Sequence, residues 1–328
     1  MKKLIFSLLK GDSGGDVYFE NIMECIRDSF EIEVDYFNGS YKFLPFLTRS
    51  ENGNGGIYHC INSQVLWNLR KKKGYKIFSI THLMNQKNYS KHMDFTSKIY
   101  SNFIFNKYLK KALPKTDKII SISEYTKIKL KEVLGFDSEV IYPCINIKKF
   151  KPGLEKREND KIRLFFSGNS SKRKGSDLLP QIMAKLGDGF ELYCTSLRDY
   201  KSETKSINYL GKLDDKDLVK AYNDCDIFLS PTRLEGFGLN VAEAMSCGKP
   251  CVVTNCSSLP ELIDDDKGGF LCERDNVDHF VEKIRILAKD KKLREGMGKY
   301  NRKKVIEKFS FEALKDKYLE LYNASRKA

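Results

Sequence analysis

The sequence has little of several residue types, and each shortage excludes a class of protein. Its 328 residues include only eight prolines and one tryptophan, and its 22 glycines follow no collagen-like repeat. Its apolar runs are all shorter than the roughly 20 residues that a membrane-spanning helix needs. Because 41% of the residues are hydrophobic, the chain is not intrinsically disordered, and its length favours two domains.

Cysteines are few, and they show no metal-binding or disulfide pattern. There are nine, an odd number, with no C-x-x-C pair and no histidine near the group Cys247, Cys251 and Cys256. This pattern predicts reduced, buried thiols in a cytoplasmic protein and no metal site. Residues 1–10 superficially look like a signal peptide, but no cleavage site follows, so we interpret them as a first β-strand.

Acidic residues are scarce in one part of the chain. Residues 41–118 contain fifteen lysines and arginines against three acidic residues, within a total net charge of +14. Such a segment attracts anionic membrane surfaces or nucleic acid, unless it is simply a solvated basic face. A helix predicted over 94–113 within it combines aromatic and lysine side chains. It either packs on its own sheet or lies at a membrane surface.

Short apolar runs alternate with helical periodicity along the chain, which predicts right-handed βαβ units and parallel sheets. A glycine-containing turn over 11–15 leads to a helix over 17–30. The polar stretch 151–160 is the best linker, after which the alternation restarts and ends with helices over 276–289 and 311–322. We therefore expect two tandem doubly wound α/β domains, with ligands bound in the cleft between them.

The most informative segment follows a predicted strand over 227–229. Its loop contains Gly236 and Gly238, and the next helix begins at Leu239, so the loop amides would face an anion such as phosphate. Glu235 and Glu243 flank this anion site. Because carboxylates accept hydrogen bonds from vicinal hydroxyls, the pair would hold a sugar at one end of a pyrophosphate and a ribose at the other.

The segment 230–250 resembles the E-x-x-x-x-x-x-x-E motif of the retaining, GT-B-fold glycosyltransferases of family four, also called group 1. Residues 165–175 are similar to the family's strand, Gly-Arg loop and Lys-Gly pair, and weaker similarity covers nearly the whole chain. The resemblance implies GT-B architecture: Rossmann-like domains over 1–155 for the acceptor and 156–310 for the donor. A C-terminal helix over 311–328 is a candidate to pack back on the first domain.

The resemblance also implies roles for the residues of the donor site. Glu235 would hold hydroxyls of the donor sugar, Glu243 would bind ribose, and Lys174 would neutralise the departing phosphates. The donor-binding set is completed by Arg173, Phe237, Gly238, Leu239 and Asn240. The only co-substrate implied is a nucleotide-diphosphate sugar of UDP or GDP type, with no further cofactor and no metal.

Three residues of the first domain match the family pattern, and one residue of the second departs from it. Gly14 and Gly15 match the glycine loop that approaches the donor, and His82 matches a histidine beside the reacting sugar. Asn169 stands where the family usually has a phosphate-binding arginine, and either Arg173 or Lys172 of the same loop would substitute for it.

We therefore expect a retaining, metal-independent hexosyl- or other glycosyltransferase. Its acceptor would be a glycan or a lipid-linked molecule in cell-surface polysaccharide or glycolipid synthesis. The enzyme would be cytoplasmic or peripheral at the inner face of the membrane. The alternatives are a GT-B enzyme that hydrolyses or epimerises nucleotide sugars, and a basic nucleic-acid-binding protein. Nucleic-acid binding leaves the pair of Glu235 and Glu243 without a function, so no nucleic-acid partner is expected.

Overall fold

The structure, a computed structural model, describes residues 3–9, 14–37, 55–83, 106–153, 160–195 and 205–324. The chain divides into two compact units. Unit 1 comprises Met1–Cys144 together with Phe311–Ala328, and unit 2 comprises Ile145–Ser310. The chain therefore leaves unit 1, completes unit 2 and then returns to unit 1.

Unit 1 is built on a parallel sheet whose described strands follow the order β2-β1-β3-β4-β5-β6. In chain order these strands are β1 (Lys3–Leu9), β2 (Glu31–Phe37), β3 (Ile57–Cys60), β4 (Tyr75–Ile80), β5 (Lys118–Ser121) and β6 (Glu139–Val140). The central strands are almost entirely buried. Their near-continuous apolar runs are typical of parallel strands that are covered on both faces.

The first four described helices of unit 1 are α1 (Gly14–Ile26), α2 (Ser63–Leu69), α3 (Asn106–Ala112) and α4 (Glu124–Leu134). Helix α4 shows how local sequence fixes its ends. Ser123 accepts a hydrogen bond from the Thr126 amide in a capping box, and Gly135 closes the helix with a φ of 80°. The sequence predicts a helix over 124–134 that ends at Gly135, and these bounds are confirmed.

Unit 2 has a second parallel sheet with the order β12-β11-β10-β7-β8-β9. The strands are β7 (Ile162–Phe166), β8 (Phe190–Cys194), β9 (Ile207–Tyr209), β10 (Ile227–Ser230), β11 (Cys251–Thr254) and β12 (Gly269–Cys272). From β7 the chain runs outward to β9 and then returns to add β10 on the other side of β7. In doubly wound sheets such a point of reversal opens a crevice at the carboxyl ends of the two strands, where ligands bind.

The helices of unit 2 are α5 (Leu179–Leu186), α6 (Asp215–Asp224), α7 (Leu239–Ser246), α8 (Leu259–Leu262), α9 (Val277–Lys289) and α10 (Lys291–Phe309). Helices α5 and α9 pack on an apolar cluster that includes Leu164, Leu192 and Ile284. All nine cysteines are free and buried, as the sequence predicted. Among the described residues, no helix is both long and apolar enough to cross a membrane.

The last helix, α11 (Phe311–Ala324), packs against α1 within unit 1. Its buried Tyr322 hydroxyl lies 2.8 Å from Nδ1 of His59, whose Nε2 lies 2.7 Å from the Ser79 hydroxyl. Tyr318 donates a hydrogen bond of 2.9 Å to the Tyr142 carbonyl. A buried polar network therefore fastens α11 to the core of unit 1.

Several predicted boundaries were wrong. Gly14 already belongs to α1, so the turn predicted over 11–15 gives way to the helix sooner, and the helix ends at Ile26 rather than residue 30. Of the long helix predicted over 94–113, the structure shows α3 and a 3-10 turn at Leu113–Lys115. Residues 94–105 lie outside the described residues.

The boundary between the units precedes the linker predicted over 151–160. The Ile145 amide donates to the Phe309 carbonyl at 2.7 Å, and the Phe150 carbonyl accepts hydrogen bonds from Ser246 and Arg302. These contacts anchor 145–150 to unit 2, and the boundary lies between Cys144 and Ile145. Residues 154–159 of the predicted linker lie outside the described residues.

Candidate active site

The candidate site lies where the two central strands of unit 2 end. Strand β7 leads into a loop that closes with a 3-10 turn at Lys172–Lys174, and β10 leads into the loop 231–238. The Thr232 hydroxyl donates to the Arg173 carbonyl at 3.0 Å, and the Arg233 amide donates to the same carbonyl at 2.8 Å. The two loops are therefore joined directly, at the place where the topology predicts a ligand.

A buried ion pair connects these loops. The Lys174 Nζ atom donates to Glu235 Oε1 at 2.6 Å, with 16% and 8% of the two side chains exposed. The Thr232 hydroxyl lies 3.2 Å from the same oxygen, and the Glu235 amide donates to the Ser257 hydroxyl at 2.9 Å. Glu235 is therefore held at both its backbone and its carboxylate.

A second cation approaches the same carboxylate. Arg173 Nη1 lies 3.6 Å from Glu235 Oε2 and donates to the Leu234 carbonyl at 2.9 Å. Burial raises the pKa of Glu235, but the charges of Lys174 and Arg173 outweigh that effect and hold it below its ordinary value. Glu235 is therefore ionised at neutral pH, beside two basic side chains.

Gly175 allows the loops to approach this closely. Its φ is 71°, and a Cβ at this position would lie 2.0 Å from the Pro231 carbonyl oxygen. No side chain therefore fits between the turn that carries Lys174 and the start of the β10 loop. The Lys-Gly pair recognised in the sequence thus has a steric explanation.

The amino end of α7 borders the same loop. Gly238 precedes the helix with a φ of 102° and has no side chain to cap it, while the Asn240 side chain accepts a hydrogen bond of 3.0 Å from the Val241 amide. A Cβ on Gly238 would lie 2.9 Å from Leu259 Cδ2, so glycine is needed here for both conformation and space. Leu239 and Asn240 form the first turn and are half-buried. The amides of Leu239 and Asn240 lie at the amino end of the helix, where backbone amides bind anions.

Phe237 and Asn240 have structural contacts of their own. The Phe237 ring is buried and packs on Phe309, with the ring centroids 5.4 Å apart, so its side chain supports the loop. The Asn240 side chain donates to the Ser167 carbonyl at 2.6 Å and thereby joins α7 to the loop after β7. The Phe237 carbonyl accepts a hydrogen bond of 3.0 Å from the Ser258 hydroxyl.

Glu243 lies one turn further along α7 in a different environment. Its Oε2 accepts a hydrogen bond of 2.7 Å from the hydroxyl of Tyr222, which is fully buried on α6. Burial raises the pKa of Glu243 to about 7. The charge of Lys174 acts on both glutamates, but each has its own hydrogen-bond partner.

Sequence reasoning missed the residues that support this site, Tyr222, Thr232, Arg233 and Ser257. Tyr222 lies on another helix, 21 residues before Glu243, and no local pattern indicates the contact. Asn169, the departure from the family pattern, is exposed and accepts hydrogen bonds from Ser171.

The remaining three candidate residues lie in unit 1. His82 follows β4, is half-buried, and its Nδ1 lies 3.3 Å from the Thr81 hydroxyl. Gly14 and Gly15 form the start of α1 rather than a loop, and a Cβ at Gly14 would meet nothing within 4 Å. The structure thus brings together the candidates of unit 2, while these three are described within unit 1 alone.

Comparison with known proteins shows which families and proteins this chain resembles. Residues 146–304 match the family model described as glycosyl transferases group 1. An uncharacterized glycosyltransferase of Methanocaldococcus jannaschii is 31% identical over 224 residues, which cover 65% of this chain and 62% of that protein. The N-acetyl-alpha-D-glucosaminyl L-malate synthase of Bacillus anthracis is 30% identical over 205 residues, covering 59% and 53%. The chain thus spans little more than half the length of these relatives.

Solved structures share the fold at lower sequence identity. A sucrose-phosphate synthase from Thermosynechococcus elongatus superposes with a TM-score of 0.82 at 15% identity, covering 98% of both chains. Anabaena HepE, solved in complex with UDP and glucose, gives a TM-score of 0.77 at 14% identity, covering 99% of this chain and 100% of that one. The prediction of two Rossmann-like α/β domains of the GT-B fold is confirmed. Residues 146–304, the segment that contains Lys174, Glu235 and Glu243, are thus similar to the glycosyl transferases of group 1.

Proposed function

We propose that this protein is a glycosyltransferase that moves a sugar from a nucleotide-diphosphate sugar to a glycan or lipid-linked acceptor. The reaction would retain the anomeric configuration and need no metal ion. The observation that carries the proposal is the buried pair of Lys174 and Glu235, 2.6 Å apart, with Arg173 beside it. A carboxylate that binds sugar hydroxyls thus stands next to cations that bind phosphate.

The first chemical requirement is to stabilise the leaving group. In the proposed reaction the bond between the anomeric carbon and the diphosphate oxygen breaks, and negative charge develops on the diphosphate. Lys174, Arg173 and the amides of Leu239 and Asn240 at the start of α7 are the groups that would stabilise this charge. These protein groups would supply the positive charge that a divalent cation supplies in other sugar transferases.

The second requirement is to place the sugar. The acceptor hydroxyl would attack the anomeric carbon from the face that the diphosphate leaves, which retains the configuration. Glu235 is already paired with Lys174, so its proposed role is to bind donor hydroxyls and orient that lysine, rather than to act as a nucleophile. His82 of unit 1 is proposed to lie beside the reacting sugar.

The nucleoside would be held by Glu243. Tyr222 occupies Oε2 of this carboxyl group, and ribose hydroxyls would bind at Oε1. HepE is solved with bound UDP, so UDP-sugars are the first donors to test here, followed by GDP-sugars. We place the acceptor in cell-surface polysaccharide or glycolipid synthesis, with the basic segment 41–118 as a candidate contact to an anionic membrane surface.

The test is turnover with a panel of UDP- and GDP-sugars, first ranked by the rise in melting temperature that each donor causes. With the best donor, Glu235→Gln should lower kcat roughly 100-fold, because the variant loses an electrostatic contact at the reacting centre. Circular dichroism should show an unchanged fold.

The matched control is Glu191→Gln. Glu191 also pairs with a basic residue in unit 2, since Arg163 Nε lies 2.9 Å from its Oε1, but it lies on β8 outside the site. We expect its kcat to stay within about twofold of the wild type. Normal turnover by Glu235→Gln would contradict the proposed role.

Product analysis separates the proposed transferase from related chemistry. A transferase forms a glycosylated acceptor with the donor's anomeric configuration. A hydrolase would release free sugar at the same rate without an acceptor, and an epimerase would return an altered nucleotide sugar. Either result as the main product would replace transfer with one of these activities.

A further inference from the structure

Arg233 is the most deeply buried cation near the site, yet none of the proposed steps uses it. Its side chain is only 4% exposed. Two nitrogens donate to Asp177, at 2.7 Å to Oδ1 and 2.9 Å to Oδ2, and Nε donates to Asp275 Oδ1 at 2.6 Å. Nη1 also donates to the carbonyl of Lys172.

The charge of Arg233 is matched within the protein itself. Burial opposes that charge, but the hydrogen bonds and charges of Asp177 and Asp275 raise the pKa of Arg233 above its ordinary value. The contacts with the two carboxylates and the Lys172 carbonyl occupy four of the five N–H groups of this guanidinium. In this respect Arg233 differs from Lys174 and Arg173, which face Glu235.

The contacts of Arg233 surround the turn that carries Lys174. The Lys172 carbonyl lies in that turn, and Asp177 lies in the next 3-10 turn, Ser176–Leu178. Asp275 lies between β12 and α9, and its backbone has a φ of 60°, a conformation rare outside glycine. The side chain of Arg233 thus ties this turn to two separate segments.

The backbone of Arg233 completes the arrangement. Its amide donates to the Arg173 carbonyl at 2.8 Å, and Glu235 follows two residues later on the same loop. One residue therefore fixes the turn that carries Lys174 in relation to the loop that carries Glu235. A shift of about 1 Å at a catalytic contact can cost roughly 100-fold in rate.

We propose that Arg233 is a positioning residue that acts through Lys174. By holding the turn Lys172–Lys174 against the β10 loop, it keeps the Lys174 ammonium group beside Glu235 and in reach of the leaving diphosphate. Asp177 and Asp275 serve it as counter-charges. This inference rests on the proposed function and adds a residue that the family motif does not identify.

A double-mutant cycle on kcat tests this role. Arg233→Gln should lower kcat roughly tenfold or more, while the dissociation constant of the nucleotide changes less. Lys174→Gln should lower kcat by itself. If Arg233 acts through Lys174, then adding Arg233→Gln to Lys174→Gln should change kcat by no more than about twofold. Independent, multiplicative losses would overturn the proposal.

A second measurement does not depend on turnover. The rate at which acetic anhydride modifies the Lys174 amine, followed by mass spectrometry, reports how firmly this side chain is held. Arg233→Gln should raise this rate roughly threefold or more, because the ion pair with Glu235 opens more often. Asp275→Asn, which leaves the pairing with Asp177 in place, is the milder variant and should show a smaller rise.

The control for general destabilisation is Lys304→Gln. Lys304 is also a buried cation of unit 2, 3.0 Å from Asp264, but it lies on α10. It should lower the melting temperature and leave both kcat and the labelling of Lys174 unchanged. If the wild type turns over no donor, the proposed function fails. If Lys174 labelling in Arg233→Gln equals that of the control, the positioning role fails.

Discussion

Glu235, in the loop after β10, and Glu243, on the helix that follows, differ in their pKa because their neighbouring side chains differ. Glu235 is paired with Lys174 and Arg173, which keep it ionised despite its burial. Glu243 is equally buried, but its hydrogen-bond partner is the neutral hydroxyl of Tyr222, and its pKa rises to about 7. The same residue type therefore has a lowered pKa in one position and a raised pKa in the other.

This difference predicts how stability depends on pH. Between its ordinary value of 4.5 and about 7, Glu243 binds more protons in the folded than in the unfolded state. The free energy of unfolding should therefore fall as pH rises through this window, by an amount on the order of 3 kcal/mol. Glu243→Gln should remove that contribution, measured as urea unfolding of both proteins at a series of pH values.

The informative quantity is the difference in the free energy of unfolding between the wild type and Glu243→Gln, since the two proteins share all other titrating groups. It should change between pH 4.5 and 7 and stay constant above that range. A difference that is the same at every pH would show that Glu243 titrates normally.

At the residue scale, the sequence predicted those members of the site that form a local pattern. Glu235, Glu243, Lys174 and Gly238 stand at fixed spacings within a strand–loop–helix segment or a Lys-Gly pair, and such spacings can be recognised. The residues that support them could not be predicted. Tyr222, which contacts Glu243, and the two aspartates that pair with Arg233 lie on other elements, so these contacts form only in the folded chain.

At the scale of elements, the approach of the β7 and β10 loops depends on Gly175. Gly175→Ala would place a methyl group 2.0 Å from the Pro231 carbonyl oxygen, in addition to the cost of a left-handed alanine. We expect it to lower the free energy of unfolding by more than about 3 kcal/mol and to reduce kcat, because the Lys174 turn must move.

Gly211→Ala separates these two effects. Gly211 has a similar φ of 69° in the same unit, but a Cβ there would meet nothing within 4 Å. Its substitution should cost only about 1 kcal/mol of backbone strain, as measured by urea unfolding. Equal losses in the two variants would mean that the contact with Pro231 has no energetic consequence.

Secondary structure was predictable where one physical signal dominates. The sequence predicts strands over 162–166 and 190–194 and a helix over 124–134, and these match the bounds of β7, β8 and α4, because apolar runs or capping residues define them. Helix α10 was missed entirely. Its buried face includes Asn301 and Lys304 beside Met297 and Val305, so the hydrophobic periodicity that identifies other helices is weak here.

At the scale of the whole molecule, the attachment of α11 to unit 1 can be measured selectively. The single tryptophan of the chain, Trp67, lies in unit 1, so its fluorescence reports the unfolding of that unit. Tyr322→Phe removes the hydroxyl 2.8 Å from Nδ1 of His59 and leaves a buried polar atom without this partner. It should destabilise unit 1 by about 1–3 kcal/mol in urea titrations.

The control is Tyr36→Phe in the same unit. The Tyr36 side chain is 61% exposed on β2, so the same chemical change there should alter stability by less than about 0.5 kcal/mol. If both variants unfold at the same urea concentration as the wild type, the buried network does not hold the helix.

The two-unit architecture was predicted correctly from the alternation of strands and helices, but the boundary in the chain was not. Composition points to the polar stretch 151–160, whereas hydrogen bonds from Ile145 and to Phe150 attach the preceding segment to unit 2. The composition of a segment indicates how polar and flexible it is, but it does not indicate which of the two units the segment will bind through hydrogen bonds.

The return of the chain to unit 1 has a consequence for biosynthesis. Unit 2 is one continuous stretch and can fold as soon as it has left the ribosome. Unit 1 begins first but receives α11 last, so the rings of Phe6, Phe30 and His59 that pack on Tyr322 stay uncovered until unit 2 has been translated. During synthesis the first unit would therefore expose these aromatic rings, and exposed hydrophobic surface of this kind is what chaperones bind.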